Sequence, residues 1–78
     1  MYYIKLDKKE ELKSGRTFTY LASVTGLTDR YLKGVFSGEK CKKTTAILLI
    51  SIRHGISIEE PDINKYLDYY FTEDGKED

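Results

Sequence analysis

Four of the six glycines divide this 78-residue chain into short segments, and their spacing constrains the fold more than any other feature. Glycine adopts at little cost the left-handed backbone conformation in which many helices end. In most of these segments, apolar residues recur at intervals of three and four, as they do on one face of an amphipathic helix. The glycines expected to end helices are Gly15, Gly26, Gly38 and Gly55. The spacing therefore predicts a series of short helices.

Residues that favour the start of a helix precede these segments. They are Asp7 with Glu10, Thr17, Thr28, Thr44 or Thr45, and Pro61. Thr17 and Thr28 have side-chain oxygens that can accept hydrogen bonds from the first turn, and Pro61 lacks an N–H group that a first turn does not need. We therefore predict an all-α fold, a compact bundle of five short helices. Residues 2–6 are either a short extended arm or the entry to the first helix.

The length fits one domain, which we place at residues 1–71. Residues 72–78 are acidic and contain glycine, so we predict a disordered tail there. Cys41 is the only cysteine, which excludes a disulfide within the chain. One cysteine and one histidine also do not suffice for a zinc module. Cys41 itself is expected to lie in a basic loop and to have no functional role.

Several classes of function are not expected. The longest apolar run has five residues, Ala46 to Ile50, whereas a membrane-spanning helix needs about 20. We therefore predict a cytoplasmic protein without a membrane partner. No nucleophile–base pair and no glycine-rich phosphate loop are found, and His54 is expected to meet helix carbonyls or solvent. The chain is predicted not to be an enzyme and to use no cofactor, metal or small-molecule substrate.

The charges are distributed unevenly, although the net charge is zero. Residues 1–43 carry ten basic and five acidic side chains, a net charge of +5, whereas residues 44–78 carry three basic and eight acidic ones, a net charge of −5. A basic half attracts a polyanion while an acidic half repels it, so the charge could orient the protein on DNA. The alternative is that these are solvated faces and an acidic tail without further function.

The stretch from Phe18 to Ser37 comprises a helix, a glycine turn and a second helix. Two helices joined in this way cross steeply, so the residues at their contact must be small or apolar. Leu21 and Ala22 meet this need on the first helix, and Leu32 and Val35 on the second. The residues left facing outwards on the second helix are Asp29, Arg30, Lys33 and Ser37.

This stretch resembles the lambda-repressor/Cro-like, or XRE-type, helix-turn-helix family. The resemblance rests on the run from Leu21 to Thr28, on Leu32 and Val35, and on the turn from Ser37 to Lys40. It continues through Thr45-Ala46 to Gly55-Ile56-Ser57, and covers roughly residues 6–58. What the resemblance implies is a helix over residues 29–37 that lies in the major groove of DNA.

The resemblance also implies roles for individual residues. Base contacts fall to Asp29, Arg30, Lys33 and Ser37. Phosphate contacts fall to Thr17, Thr19, Lys40, Lys42 and Lys43. Arg30 and Lys33 would donate to guanine edges, and Asp29 could accept from a cytosine amino group or orient Arg30.

Three positions depart from the family pattern. Phe18 stands where many members have a glutamine that contacts the DNA backbone, and Gly34 lies inside the proposed recognition helix. Phe36 stands where the family often has a polar residue. Apart from these positions, five large side chains lie close together on the fifth helix. Exposed aromatic surface is typical of interfaces. A protein interface is therefore expected at Phe36, Tyr66, Tyr69, Tyr70 and Phe71.

Two functions remain open. The first is a sequence-specific transcriptional regulator of the repressor type, from a phage or a bacterium, which binds a double-stranded DNA operator and forms a homodimer through the fifth helix. The second keeps the fold but binds another protein, as an antirepressor or modulator of a phage repressor. The ten basic residues of the first half favour DNA, while the zero net charge favours a protein partner.

Overall fold

The computed structural model describes residues 1–73, which form five α-helices and one small sheet. In chain order these elements are β1 (Tyr2–Ile4), a 3₁₀ helix (Leu6–Lys8), α1 (Lys9–Lys13), α2 (Phe18–Thr25), α3 (Asp29–Phe36), α4 (Lys43–His54), α5 (Ile63–Tyr70) and β2 (Phe71–Glu73). The prediction of five short helices is confirmed. The all-α prediction is confirmed in part, because the fold is mostly helical and also contains a short two-stranded sheet.

The sheet joins the two ends of the described chain. Strands β1 and β2 are antiparallel, with Tyr2 opposite Glu73 and Ile4 opposite Phe71. Of the two expectations for residues 2–6, the extended one is therefore correct for β1. Thr72 and Glu73, predicted to begin a disordered tail, pair with β1 instead, and the rest of that tail lies outside the described residues.

Two helix starts and two helix ends agree with the sequence. The side-chain oxygen of Thr17 accepts a hydrogen bond from the backbone N–H of Tyr20, and that of Thr28 accepts one from Tyr31, both at 3.0 Å. Both threonines therefore cap their helices. Gly26 and Gly55 follow α2 and α4 with positive φ angles of 77° and 65°, a conformation that costs glycine little.

Three other helix boundaries differ from the prediction. Helix α1 has no side-chain cap and is preceded by the 3₁₀ helix, so Asp7 and Glu10 do not form a capping box. Helix α4 begins at Lys43, one residue earlier than expected. Helix α5 begins two residues after Pro61, because the backbone N–H of Ile63 first bonds to the carbonyl of Glu60 in a turn.

Helix α4 is the central element of the core. Its Ala46, Leu49 and Ile50 are buried, and it packs against α1, α2 and α5. Cys41 is also fully buried, and its backbone exchanges two hydrogen bonds of 2.8 Å with Tyr2. Burial raises the pKa of the Cys41 thiol to about 11. This cysteine is therefore part of the core rather than a residue in an open basic loop.

Candidate nucleic-acid interface

Helices α2 and α3 are two eight-residue helices joined by a turn of three residues. They pack against each other through an apolar contact that includes the buried Leu21 and Leu32. The hydroxyl of Thr25 donates to the carbonyl of Leu21 at 2.7 Å and accepts from the backbone N–H of Leu27 at 3.1 Å. These two bonds hold the turn and so fix the direction in which α3 leaves it.

Helix α3 divides into a buried and an exposed face. Leu32, Val35 and Phe36 are buried, as the spacing of apolar residues predicted for the first two. Arg30 and Lys33 are exposed, and Ser37 is exposed directly after the last helical residue. The three side chains thus point outwards as expected, while the role of base contact remains a prediction.

The four predicted base-contact residues differ in how they are held. Asp29 is half-buried and accepts a hydrogen bond of 3.5 Å from the hydroxyl of Thr19. The hydroxyl of Ser37 donates to the carbonyl of Lys33 at 2.8 Å, within its own helix. Among residues 1–73, the side chains of Arg30 and Lys33 form no hydrogen bond or ion pair, so both remain available to a ligand.

The starts of α2 and α4 lie beside the first half of α3. The bond between Thr19 and Asp29 joins the first turn of α2 to that of α3. The hydroxyls of Tyr31 and Thr45 lie 3.2 Å apart and join α3 to the first turn of α4. Because the N-terminus of a helix carries a partial positive charge, this convergence favours anions beside α3.

The predicted phosphate-contact residues are all exposed and lie near these helix starts. They are Thr17, Thr19, Lys40, Lys42 and Lys43. The Thr17 oxygen already accepts a bond from the helix, but its hydroxyl proton is free to be donated to a phosphate oxygen. Lys43 is the first residue of α4, the helix whose first turn contacts α3 through Thr45.

A groove of about 380 Å³ lies between α1 and α3, and it was not among the sites predicted from the sequence. It is lined by Lys9, Glu10, Lys13, Phe18, Lys33, Phe36 and Ser37. The ammonium of Lys13 lies 4.1 Å from the centre of the Phe18 ring, in the geometry of a cation–π contact. Lys9 and Lys13 are four residues apart, a spacing that puts them on one face of α1 and was the available signal.

Phe36 does not form the exposed interface that was expected of it. Its side chain is only 5% exposed, and its ring meets that of Phe18 edge-on, with centroids 5.7 Å apart. Phe18 is half-buried in this contact. The two aromatic departures from the family pattern, Phe18 and Phe36, therefore pack against each other, and neither alone supports a protein partner.

Of the four residues expected to form an aromatic interface at the fifth helix, two are buried and two remain partly or largely exposed. Tyr70 and Phe71 are buried, because Tyr70 faces the core and Phe71 lies opposite Ile4 in the sheet. Tyr66 is half-buried, and its ring stacks on His54 at 4.0 Å. Tyr69 is 41% exposed, but its hydroxyl donates to a carboxylate oxygen of Glu11 at 2.9 Å.

His54 belongs to a polar network rather than to helix carbonyls or open solvent. Its Nε2 atom lies 2.9 Å from the hydroxyl of Tyr70, which in turn donates to Glu11 at 3.5 Å. Burial lowers the pKa of His54, the neighbouring Arg53 lowers it further, and Glu11 opposes both effects. Burial and Glu11 raise the pKa of Tyr70. The imidazole therefore lies between α1, α4 and α5 in surroundings that favour its neutral form.

Two further site types are not found in the part of the chain that is described. Residues 1–73 contain no group of three or more histidine, cysteine or acidic side chains placed to hold a metal ion. Nor does any helix within these residues have the length and apolar character needed to cross a membrane. Comparison with protein-family models, with curated proteins and with solved structures gave no match to this chain.

Proposed function

We propose that this protein is a sequence-specific DNA-binding transcriptional regulator that inserts α3 into the major groove. The observation that carries the proposal is the exposed polar face of α3, flanked by the starts of α2 and α4. A helix reads base edges in the major groove, while helix N-termini and lysines beside it hold the phosphates. The proposal is supported because exposed donors suited to both kinds of contact lie on α3 and at the starts of the two helices that contact it.

Base reading is assigned first to Arg30. Its exposed guanidinium forms no hydrogen bond or ion pair within residues 1–73, and it stands in the first turn of α3. Two parallel N–H groups of arginine match O6 and N7 of guanine, a contact that discriminates by about 1–3 kcal/mol. Asp29 lies beside it and is steadied by Thr19, so it can orient Arg30 or accept from a cytosine amino group.

Phosphate binding is assigned to the exposed lysines that precede and begin α4. Lys42 and Lys43 lie at the N-terminal end of that helix and add full charges to its dipole. Each phosphate neutralised by a lysine releases counterions, so affinity should fall steeply as salt rises. These contacts position the protein on DNA of any sequence.

The proposal is tested with a duplex selected by the protein from a random pool, compared with an unselected duplex in fluorescence anisotropy titrations. We expect Arg30→Ala to lose about tenfold or more of the preference for the selected duplex, as loss of a bidentate base contact does. Lys42→Ala should weaken binding to both duplexes equally. Failure to enrich any sequence, or equal losses from both variants, would contradict the proposal.

A second function, protein binding, is favoured by one observation. An apolar cleft of about 280 Å³ is lined by Thr44, Ile47, Leu48 and Ile58, and Ile58 is 52% exposed. Exposed apolar surface of this kind is typical of protein contacts. We propose that a second copy or a repressor protein would bind here rather than at α5. Sedimentation of the wild type and of Ile58→Glu at several concentrations tests self-association.

A further inference from the structure

The groove between α1 and α3 is lined by basic side chains and by two aromatic rings. Lys9 and Lys13 come from α1, Lys33 comes from α3, and the packed rings of Phe18 and Phe36 lie between them. Lys13 is steadied by its contact with the Phe18 ring. Glu10 is the one acidic residue of the lining, so the groove keeps an excess of two positive charges.

This groove is continuous with the exposed face of α3. Lys33 and Ser37 line it, and both were predicted from the sequence to contact bases. Arg30 precedes Lys33 by three residues and therefore lies on the same side of the helix. A polyanion that lies along α3 would therefore also reach the groove. A small free anion in the groove would meet the carboxylate of Glu10 as well as the three lysines, so the lining favours the polyanion.

We infer that the groove binds backbone phosphates of DNA, so that α1 extends the interface beyond α2, α3 and the start of α4. The inference rests on the proposed function. It assigns Lys9 and Lys13 to the phosphate contacts and moves Lys33 from base reading to phosphate binding. Sequence reading is then left to the first turn of α3, to Asp29 and Arg30.

The chemistry favours this division of roles. An ammonium group is a compact point charge that suits a phosphate oxygen, whereas the planar guanidinium of arginine suits the two acceptors of a guanine edge. Three lysines that line one groove would bind DNA phosphates through their charge, whatever the base sequence. Each phosphate they neutralise adds about 0.9 to the steepness of the salt dependence of binding.

The test measures affinity against salt concentration for the selected and the unselected duplex. We expect Lys9→Gln, Lys13→Gln and Lys33→Gln each to reduce the slope by about 0.9 and to leave the ratio between the two duplexes unchanged. Glu10→Gln should have the opposite effect and tighten binding to both. Lys65→Gln is the matched control, since Lys65 is an exposed lysine on α5 paired with Asp62 at 3.8 Å; its slope should stay close to that of the wild type.

The outcomes separate this inference from the proposed function. If the wild type selects a sequence but the groove variants behave like Lys65→Gln, the groove inference is overturned and the proposed function stands. If the wild type binds no duplex, both fail. Lys13→Gln also loses a ring contact, so Lys13→Arg, which keeps the charge and the cation–π geometry, should retain binding. Lys9 has no ring contact among residues 1–73, and its variant tests the charge alone.

Discussion

Gly34 lies inside α3, where glycine weakens a helix. A Cβ atom added to Gly34 would come within 2.6 Å of Oε1 of Glu39, closer than such atoms approach each other. The obstructing atom is the end of a flexible, exposed side chain, which can turn away at little cost. The backbone conformation does not require glycine at position 34 either, because its φ angle is not positive, in contrast to that of Gly26.

Gly34→Ala should stabilise the protein by up to about 1 kcal/mol, because alanine restricts the unfolded chain and favours the helix. The measurement is urea denaturation followed by circular dichroism. Gly26→Ala is the control and should destabilise, since its φ of 77° strains a residue with a Cβ atom. A loss of stability in Gly34→Ala would mean that Glu39 is held more firmly than its exposure indicates.

Residue-scale features of the candidate site were only partly predictable. The outward direction of Arg30 and Lys33 follows from the spacing of apolar residues on α3. The same spacing includes Phe36, which follows Leu32 by four residues, but its partner Phe18 lies on another helix and could not be identified from the spacing. The basic groove needed the packing of α1 against this pair, which is a tertiary arrangement.

At the scale of elements, α1, α4 and α5 are joined by side chains with polar ends. Glu11 on α1 accepts from Tyr69 and Tyr70 on α5, and Tyr70 meets His54 on α4. Such a network helps to fix the relative positions of these three helices beside their apolar contacts. The exposed Lys8 adds a hydrogen bond of 3.1 Å to the Tyr69 hydroxyl.

The network predicts that stability falls on mild acidification. The pKa of His54 is lowered below its ordinary value of 6.5, so in the unfolded chain this residue takes up a proton at a higher pH than in the fold. Between these two pKa values the unfolded state binds more protons, and the free energy of unfolding decreases as the pH falls. Above about pH 6.5 the effect of this group vanishes.

The measurement is the urea midpoint between pH 5 and pH 7.5, compared with His54→Gln. The variant has no titrating ring, so its midpoint should vary less over this range. If the urea midpoint depended equally on pH in both proteins, the loss of stability would come from carboxylates and not from His54. Tyr70→Phe keeps the ring packing and removes the hydroxyl that meets Nε2, which provides a second comparison.

The elements themselves were the most predictable feature, with one exception. Amphipathic spacing, two capping threonines and the glycines after helices indicate the five helices because these signals are local. The sheet pairs residues about seventy positions apart, and its strands have only three residues each. Phe71 also continued the helical spacing of α5, so its place in a strand could not be recognised from its neighbours.

At the scale of the whole molecule, β1 joins the loop before α4 to the last strand of the described chain. Its Tyr2 bonds to Cys41 on one side, and its residues pair with β2 on the other. Ile4 is buried in the core next to Phe71. In a chain this short, each buried side chain is a large share of the core.

Ile4→Ala should therefore destabilise the protein by about 2–5 kcal/mol, the usual cost of such a truncation in a core. Leu6→Ala is the matched control two residues away, since Leu6 is 59% exposed and its loss should change stability by about 0.5 kcal/mol or less. Thermal unfolding of both variants distinguishes them. A loss for Ile4→Ala as small as that expected for Leu6→Ala would indicate that β1 contributes little to the fold.

The pairing of Tyr2 with Glu73 has a topological consequence. Residues directly opposite each other in an antiparallel sheet have Cα atoms about 5 Å apart, so the backbone enters and leaves the described fold at one point. A peptide linker of a few residues could close this gap between the two ends of the described fold. The exposed turn at residues 57–61 could then be cut, and the circularly permuted protein would keep all five helices intact.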